Sequence, residues 1–133
     1  MASIYAGIRS LLGANSGVSA LVPIARIQMF QNTAPDMPAI VLYSPSGSMS
    51  EDLETGAAAP WFRRVSVECR GSTYEQADTV GEAVIAALNG YQGVIDRWFI
   101  DRCTVISDVP LSEDSVSVRR RVIDFRVVYQ PNN

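Results

Sequence analysis

The sequence of 133 residues contains no histidine and no lysine. Most proton-transfer sites at neutral pH use an imidazole, because its pKa lies close to that pH. Without histidine, Ser-His-Asp and Cys-His catalytic arrangements are excluded, and a zinc ion would have to bind through cysteines and carboxylates. We therefore predict that the protein is not an enzyme, and that it has no catalytic, metal-binding or cofactor-binding residues.

Cysteine and long apolar runs are also scarce. Cys69 and Cys103 fit neither a disulfide framework nor a metal-site spacing, so we expect two free thiols. No apolar run approaches the roughly 20 residues that span a bilayer, which predicts no membrane contact. At the N-terminus no basic region precedes an apolar run, and Arg9 interrupts the start of the chain. We therefore expect no signal peptide and a cytosolic site of synthesis.

The composition fits one domain, residues 1–133, with 47% hydrophobic residues and a net charge of −3. That charge gives no electrostatic reason to bind nucleic acid. All 11 basic residues are arginines. Arginine suits bidentate pairing with carboxylates at subunit contacts, but a GC-rich genome would produce the same bias.

The segment from Arg63 to Gly90 is the most informative part of the chain. Its first third predicts a strand with one buried face, because apolar Val65, Val67 and Cys69 alternate with polar Arg64, Ser66, Glu68 and Arg70. Gly71 then predicts a sharp exit from the strand. Ser72 and Glu75 have the spacing of a capping box at the start of a helix, and Asn89-Gly90 is a helix-ending signal.

This segment resembles the tail terminator (tail completion) proteins of long-tailed bacteriophages. The strand and turn that carry the resemblance are Val65-Ser66-Val67-Glu68-Cys69-Arg70-Gly71. The helix contributes Thr73, Ala77, Ala83 and the ending Ala87-Leu88-Asn89-Gly90. Looser similarity extends through an N-terminal helix ending Leu11-Leu12, a Pro38-Ala39-Ile40-Val41 strand and a final strand, Arg121 to Tyr129.

Strands and helices along the chain predict an α+β fold. We expect a mainly antiparallel β-sheet of four to five strands, with two α-helices packed on one face. The predicted helices begin at Ser3 and at Ser72, and the segment 91–95 is expected to be a loop. The predicted strands are 24–30, 39–43, 63–70, 98–107 and 116–129. In the last of these, alternate residues from Ile123 to Tyr129 would face the core.

Two regions are candidate contacts with other subunits or with the tail tube. Residues 44–60 form a long, polar, acidic connection that we expect to be a flexible arm, with Glu51, Asp52, Leu53 and Glu54 as its contact residues. These acids lack the spacing of a calcium loop. The second region is the charged face of two strands, with Arg64, Glu68, Arg70, Arg120 and Arg126. Consecutive arginines 119–121 would point to alternate faces, so they do not predict a nucleic-acid site.

The resemblance implies a structural virion protein at the head-proximal end of the tail, assembled in the host cytoplasm. Its subunits would form a homo-oligomeric ring, a hexamer in this family. The ring would cap the tail tube protein and join it to the head-tail connector or stopper protein, while DNA passes through the lumen without specific binding. Two alternatives stay open: another neck or connector ring component, or a small monomeric protein-binding module that uses the 44–60 loop.

Overall fold

The computed structural model describes residues 3–30, 36–44, 61–111 and 118–132. The helices are α1 (Ile4–Ala14), α2 (Ser16–Ser19) and α3 (Tyr74–Leu88), and a 3-10 turn covers Ile24–Arg26. The strands are β1 (Ile27–Met29), β2 (Ala39–Tyr43), β3 (Trp61–Gly71), β4 (Gly93–Ile95), β5 (Trp98–Leu111) and β6 (Arg119–Pro131).

All six of these strands join one sheet in the order β1-β2-β3-β6-β5-β4. Strand β1 runs parallel to β2, and every other neighbouring pair is antiparallel. The α+β class and the mainly antiparallel sheet are therefore confirmed. The predicted count of four to five strands is too low, because β4 lies within the segment 91–95 that was expected to be a loop. The two predicted helices become three with the four-residue helix α2.

The described core lies between helices α1 and α3 and one face of the sheet. Helix α1 supplies Tyr5, Ile8 and Leu12, and the long strands supply alternating apolar side chains. The predicted inward set of the last strand is confirmed, since all four of its members are buried: Ile123, Phe125, Val127 and Tyr129. At one end of the core the rings of Trp61, Trp98 and Tyr129 meet with centroids 5.2–6.0 Å apart.

Side chains cap the starts of helices α1 and α3, where short polar residues are favoured. Ser3 caps α1 as predicted, its hydroxyl accepting from Ala6 N at 3.2 Å. The start of α3 lies one residue later than the predicted Ser72–Glu75 box. Thr73 Oγ1 accepts from Gln76 N at 3.1 Å, and Gln76 Oε1 accepts from Ser72 N at 2.8 Å.

Gly71 serves a different purpose from the one that the sequence indicated. Its φ is not in the left-handed region, where Gly90 and Gly93 are found. A Cβ at Gly71 would instead lie 2.7 Å from Ala77 N and 3.0 Å from Thr73 O. Strand β3 therefore ends directly against the first turn of α3, and the missing side chain permits that close approach.

Candidate functional site

The face of the sheet opposite α1 and α3, here called the open face, gathers the charged residues predicted as contacts. The strand register places the following charged residues on it: Arg64, Glu68 and Arg70 of β3, Arg120, Asp124 and Arg126 of β6, and Arg102 of β5. All five predicted strand residues, Arg64, Glu68, Arg70, Arg120 and Arg126, thus share one surface. Their role in subunit or tube contact stays a prediction.

Glu68 is the centre of the first ion-pair group on the open face. Its carboxylate accepts a hydrogen bond from Arg70 Nη1 and lies 3.6 Å from Arg120 Nη1. The side chain of Glu68 is only 9% exposed. Because a buried charge is tolerated only when it is paired, the two guanidinium groups explain how a carboxylate can occupy this position.

The prediction that this strand alternates between a buried and a wet face is therefore wrong in part. Val65, Val67 and Cys69 are buried as expected, but Ser66 and Glu68 on the other face are also buried, at 1% and 6% exposure. Polar partners make this possible: Ser66 donates to Asp124 Oδ1 at 2.6 Å, and Glu68 has its arginines. Burial first, and then the carboxylates of Glu68 and Asp124, raise the pKa of the neighbouring Tyr43.

Two arginines lie directly opposite each other in the centre of the open face. Arg64 and Arg126 are register partners, an arrangement in which like charges destabilise a sheet. Arg64 Nη2 pairs with Asp124 Oδ2 at 3.1 Å, while the guanidinium of Arg126 lies 4.8 Å from the ring centroid of Phe62. Both arginines are exposed. The open face thus keeps two accessible cations side by side.

The remaining predicted contacts, Glu51, Asp52, Leu53 and Glu54, lie outside the described residues. The alternation expected for 119–121 is confirmed, since Arg120 points to the open face and Arg121 to the helix side.

A second charged site, on the helix side of the sheet, was not predicted. Arg121 donates from Nε and Nη2 to both carboxylate oxygens of Asp108, at 2.8 and 2.6 Å. Its Nη1 lies 3.0 Å from Asp78 Oδ1 and 2.9 Å from Glu82 Oε2 on helix α3. The Arg121 side chain is 11% exposed, whereas Asp78 and Glu82 are 66% and 67% exposed. We call this group the Arg121 cluster.

The charges of the Arg121 cluster shift two pKa values in opposite directions. The hydrogen bonds from Arg121 hold the pKa of Asp108 below its usual range, against the smaller effect of burial. The same bonds raise the pKa of the Arg121 guanidinium. Asp78 and Glu82, four residues apart on one helix face with a small Gly81 between them, were the sequence signal for this site. The sequence alone does not show which residue pairs with these two carboxylates, because Arg121 lies on a strand that only the fold brings beneath the helix.

Strand β5 presents a partly uncovered edge. Strand β4 pairs only with its first three residues, Trp98–Ile100. At the end of α3, Gly90 N donates to Cys103 O at 2.7 Å, and Asn89 Oδ1 accepts from Val105 N at 3.1 Å. From 106 to 111, no described strand pairs with the outer edge. Its exposed apolar side chains are Ile106, Val109 and Leu111.

Within ranges 3–30, 36–44, 61–111 and 118–132, no three or more His, Cys, Asp or Glu side chains are placed so that they could hold a metal ion. None of the helices in those ranges is both long and apolar enough to span a bilayer. Both cysteines are buried free thiols.

Comparison with known proteins identifies the family. A family model described as tail completion protein gp17 matches residues 6–130. The chain belongs to this family. It is therefore a structural protein of the bacteriophage virion and is located in the tail. The resemblance found in the sequence is confirmed by this match.

The fold gives an independent comparison. It is similar to that of a chain in the virion of the native gene transfer agent (GTA) particle, with a TM-score of 0.72 and 15% identity. The match covers 96% of this chain and 94% of the other. At that identity the similarity shows a shared fold. No curated protein matches the chain.

Proposed function

We propose that copies of this chain close into a ring, a hexamer, that caps the finished tail tube and joins it to the head-side connector. The whole chain, residues 1–133, acts as one domain in each subunit. Added subunits cover the polymerising end of the tube, and the ring offers no equivalent end for a further layer. The function is thus capping and joining, without a chemical step.

The observation that carries this proposal is the match of the tail completion family over residues 6–130. A closed ring further requires a heterologous contact, in which two different surfaces of each subunit meet. The described chain offers surfaces that differ strongly: a charged open face, an acidic helix α3 and the exposed apolar edge of β5. Such asymmetry supports cyclic closure.

The acidic segment 44–60 is proposed to contact a neighbouring subunit or the tail tube protein through Glu51, Asp52, Leu53 and Glu54. Its length and acidic composition support this role, because polar segments can fold on contact with a partner. DNA is proposed to pass through the lumen without specific binding, in keeping with the net charge of −3.

The decisive experiment combines solution mass with a capping assay. Light scattering behind size exclusion, followed by negative-stain imaging, should reveal a ring of about six subunits over a wide concentration range. Adding the ring to assembling tubes of the cognate tail tube protein should stop their growth. A strict monomer that leaves tube growth unchanged would contradict the proposal and favour a monomeric binding module.

A variant in which a short Gly-Ser linker replaces 45–60 tests the role of the arm separately. The proposed role requires weaker ring formation or weaker tube capping in this variant, with the fold retained by circular dichroism. An unchanged ring and unchanged capping would exclude these residues as contacts.

A further inference from the structure

The open face and helix α3 carry net charges of opposite sign. On the open face five arginines accompany two carboxylates, Glu68 and Asp124, so positive charge is in excess. On the helix side, α3 carries Glu75, Asp78 and Glu82, and the last two share Arg121 with Asp108 of β5. Register places three arginines, Arg63, Arg119 and Arg121, on that side, and the guanidinium of Arg63 lies over the ring of Tyr5. The open face therefore has an excess of positive charge, whereas helix α3 has only negative charges.

Some of the charged side chains on both surfaces are exposed to solvent. On the open face, neither Arg102 nor Arg126 lies within ion-pair distance of a described carboxylate, and both are exposed. On α3, Glu75 is exposed, and Glu82 is 67% exposed while it shares Arg121 with two other carboxylates. Helix α3 contains no basic residue. Accessible positive groups thus lie on the open face, and accessible negative groups lie on α3.

We propose that the open face of one subunit docks against the acidic outer face of α3 on the next copy of this chain. This inference rests on the proposed ring and names the contact that would build it. A head-to-tail contact needs two different, complementary surfaces on the same chain, and these two have complementary charge. Arg102 and Arg126 of one copy pair with Glu75 and Glu82 of its neighbour. The pairs set register and orientation more than overall affinity.

Paired charge reversals test this contact. In the first variant, Arg102→Glu and Arg126→Glu make the open face acidic; the new glutamate at 126 lies opposite Arg64, which favours folding. In the second, Glu75→Arg and Glu82→Arg make α3 basic, while Arg121 keeps Asp78 and Asp108. If the second variant folds poorly, Glu75→Arg alone replaces it. Arg97→Glu, at an exposed turn position, is the control.

Each variant alone should associate at least about tenfold more weakly than wild type, with a smaller difference at high salt. An equimolar mixture should regain the wild-type mass, because each reversed surface then meets a reversed partner. The control should assemble normally. Sedimentation velocity measures all these masses.

Three results would overturn this contact while wild-type rings still form. In the first, both variants assemble like wild type. In the second, the mixture of folded variants does not regain the wild-type mass. Loss in the first variant alone would show that the open face binds another partner, such as nucleic acid or the acidic segment 45–60. Wild-type protein that stays monomeric would instead contradict the proposed ring itself.

Discussion

Gly81 of helix α3 leaves the space that the side chain of Arg121 occupies. A Cβ at position 81 would lie 2.7 Å from both Cδ and Nη1 of Arg121. The guanidinium is fixed there by carboxylates on two elements, Asp108 of β5 and Asp78 and Glu82 of α3. The glycine therefore allows a strand arginine to reach across the edge of a helix that carries only acidic charges.

Gly81→Ala should destabilise the wild-type protein but stabilise an Arg121→Met variant. Alanine favours a helix interior over glycine by about 1 kcal/mol, and in wild type this gain is outweighed by displacement of the guanidinium from its partners. Urea unfolding monitored by circular dichroism gives the free energies of unfolding of wild type, the two single variants and the double variant. Ala86→Gly, at an exposed position of α3, is the matched control and should cost about 1 kcal/mol in both backgrounds. If Gly81→Ala changed the free energy of unfolding in the same direction in both backgrounds, Gly81 and Arg121 would not be coupled.

Asp108→Asn should reduce the loss of stability in acid. The folded pKa of Asp108 is lowered, chiefly by hydrogen bonds from Arg121, so its contribution is present above the unfolded pKa of about 3.9. That contribution is lost as pH falls through the folded value. The free energy of unfolding, measured between neutral pH and about pH 2, should therefore fall less steeply in Asp108→Asn. In an Arg121→Gln background, Asp108→Asn should change this pH dependence less. If wild type and Asp108→Asn lost stability equally steeply in acid, the ion pair with Arg121 would not be the cause of the acid sensitivity.

The main elements could be predicted because their patterns are local. Alternation in β3 and β6 and the apolar stripe of α3 identify the core-facing residues without any tertiary information. Strand β4 was missed because it has only three residues and owes its pairing to the neighbouring β5. The predicted cap of α3 is one residue too early because Ser72 and Thr73 offer two adjacent hydroxyls, and it is Thr73 that accepts from Gln76 N.

The charged surfaces were less predictable, for a physical reason. The sequence indicates that Arg64, Glu68 and Arg70 share a face, but it cannot show that Arg120 and Arg70 allow Glu68 to be buried. The Arg121 cluster joins residues that lie 13 and 43 positions apart. Such contacts depend on the register of β5 against β6, which includes two shifts that no local pattern encodes.

Cys69 and Cys103 should be unreactive in the folded protein. Burial raises the pKa of each thiol to about 12, and only the thiolate is a good nucleophile. With Ellman's reagent near pH 8, native protein should show almost no reaction, and denatured protein should show two thiols. Because the folded values are raised, stability should also decline above the unfolded thiol pKa of about 8.5, and Cys103→Ala should weaken that decline. Rapid native reaction of either thiol would mean that its strand opens readily.

Glu68→Ala should cost far more stability than Arg64→Ala, although each breaks an ion pair on the open face. Removing the Glu68 carboxylate takes away the shared partner of Arg70 and Arg120, whose side chains are only 22% and 23% exposed. Loss of one partner from such a buried group costs about 3 kcal/mol. Arg64 is 45% exposed, and Asp124 keeps its hydrogen bond from Ser66, so Arg64→Ala should cost about 0.5 kcal/mol. Urea unfolding at two salt concentrations measures both losses. Comparable losses would indicate that Glu68 is hydrated in solution, and that the burial of its carboxylate does not control the stability of this face.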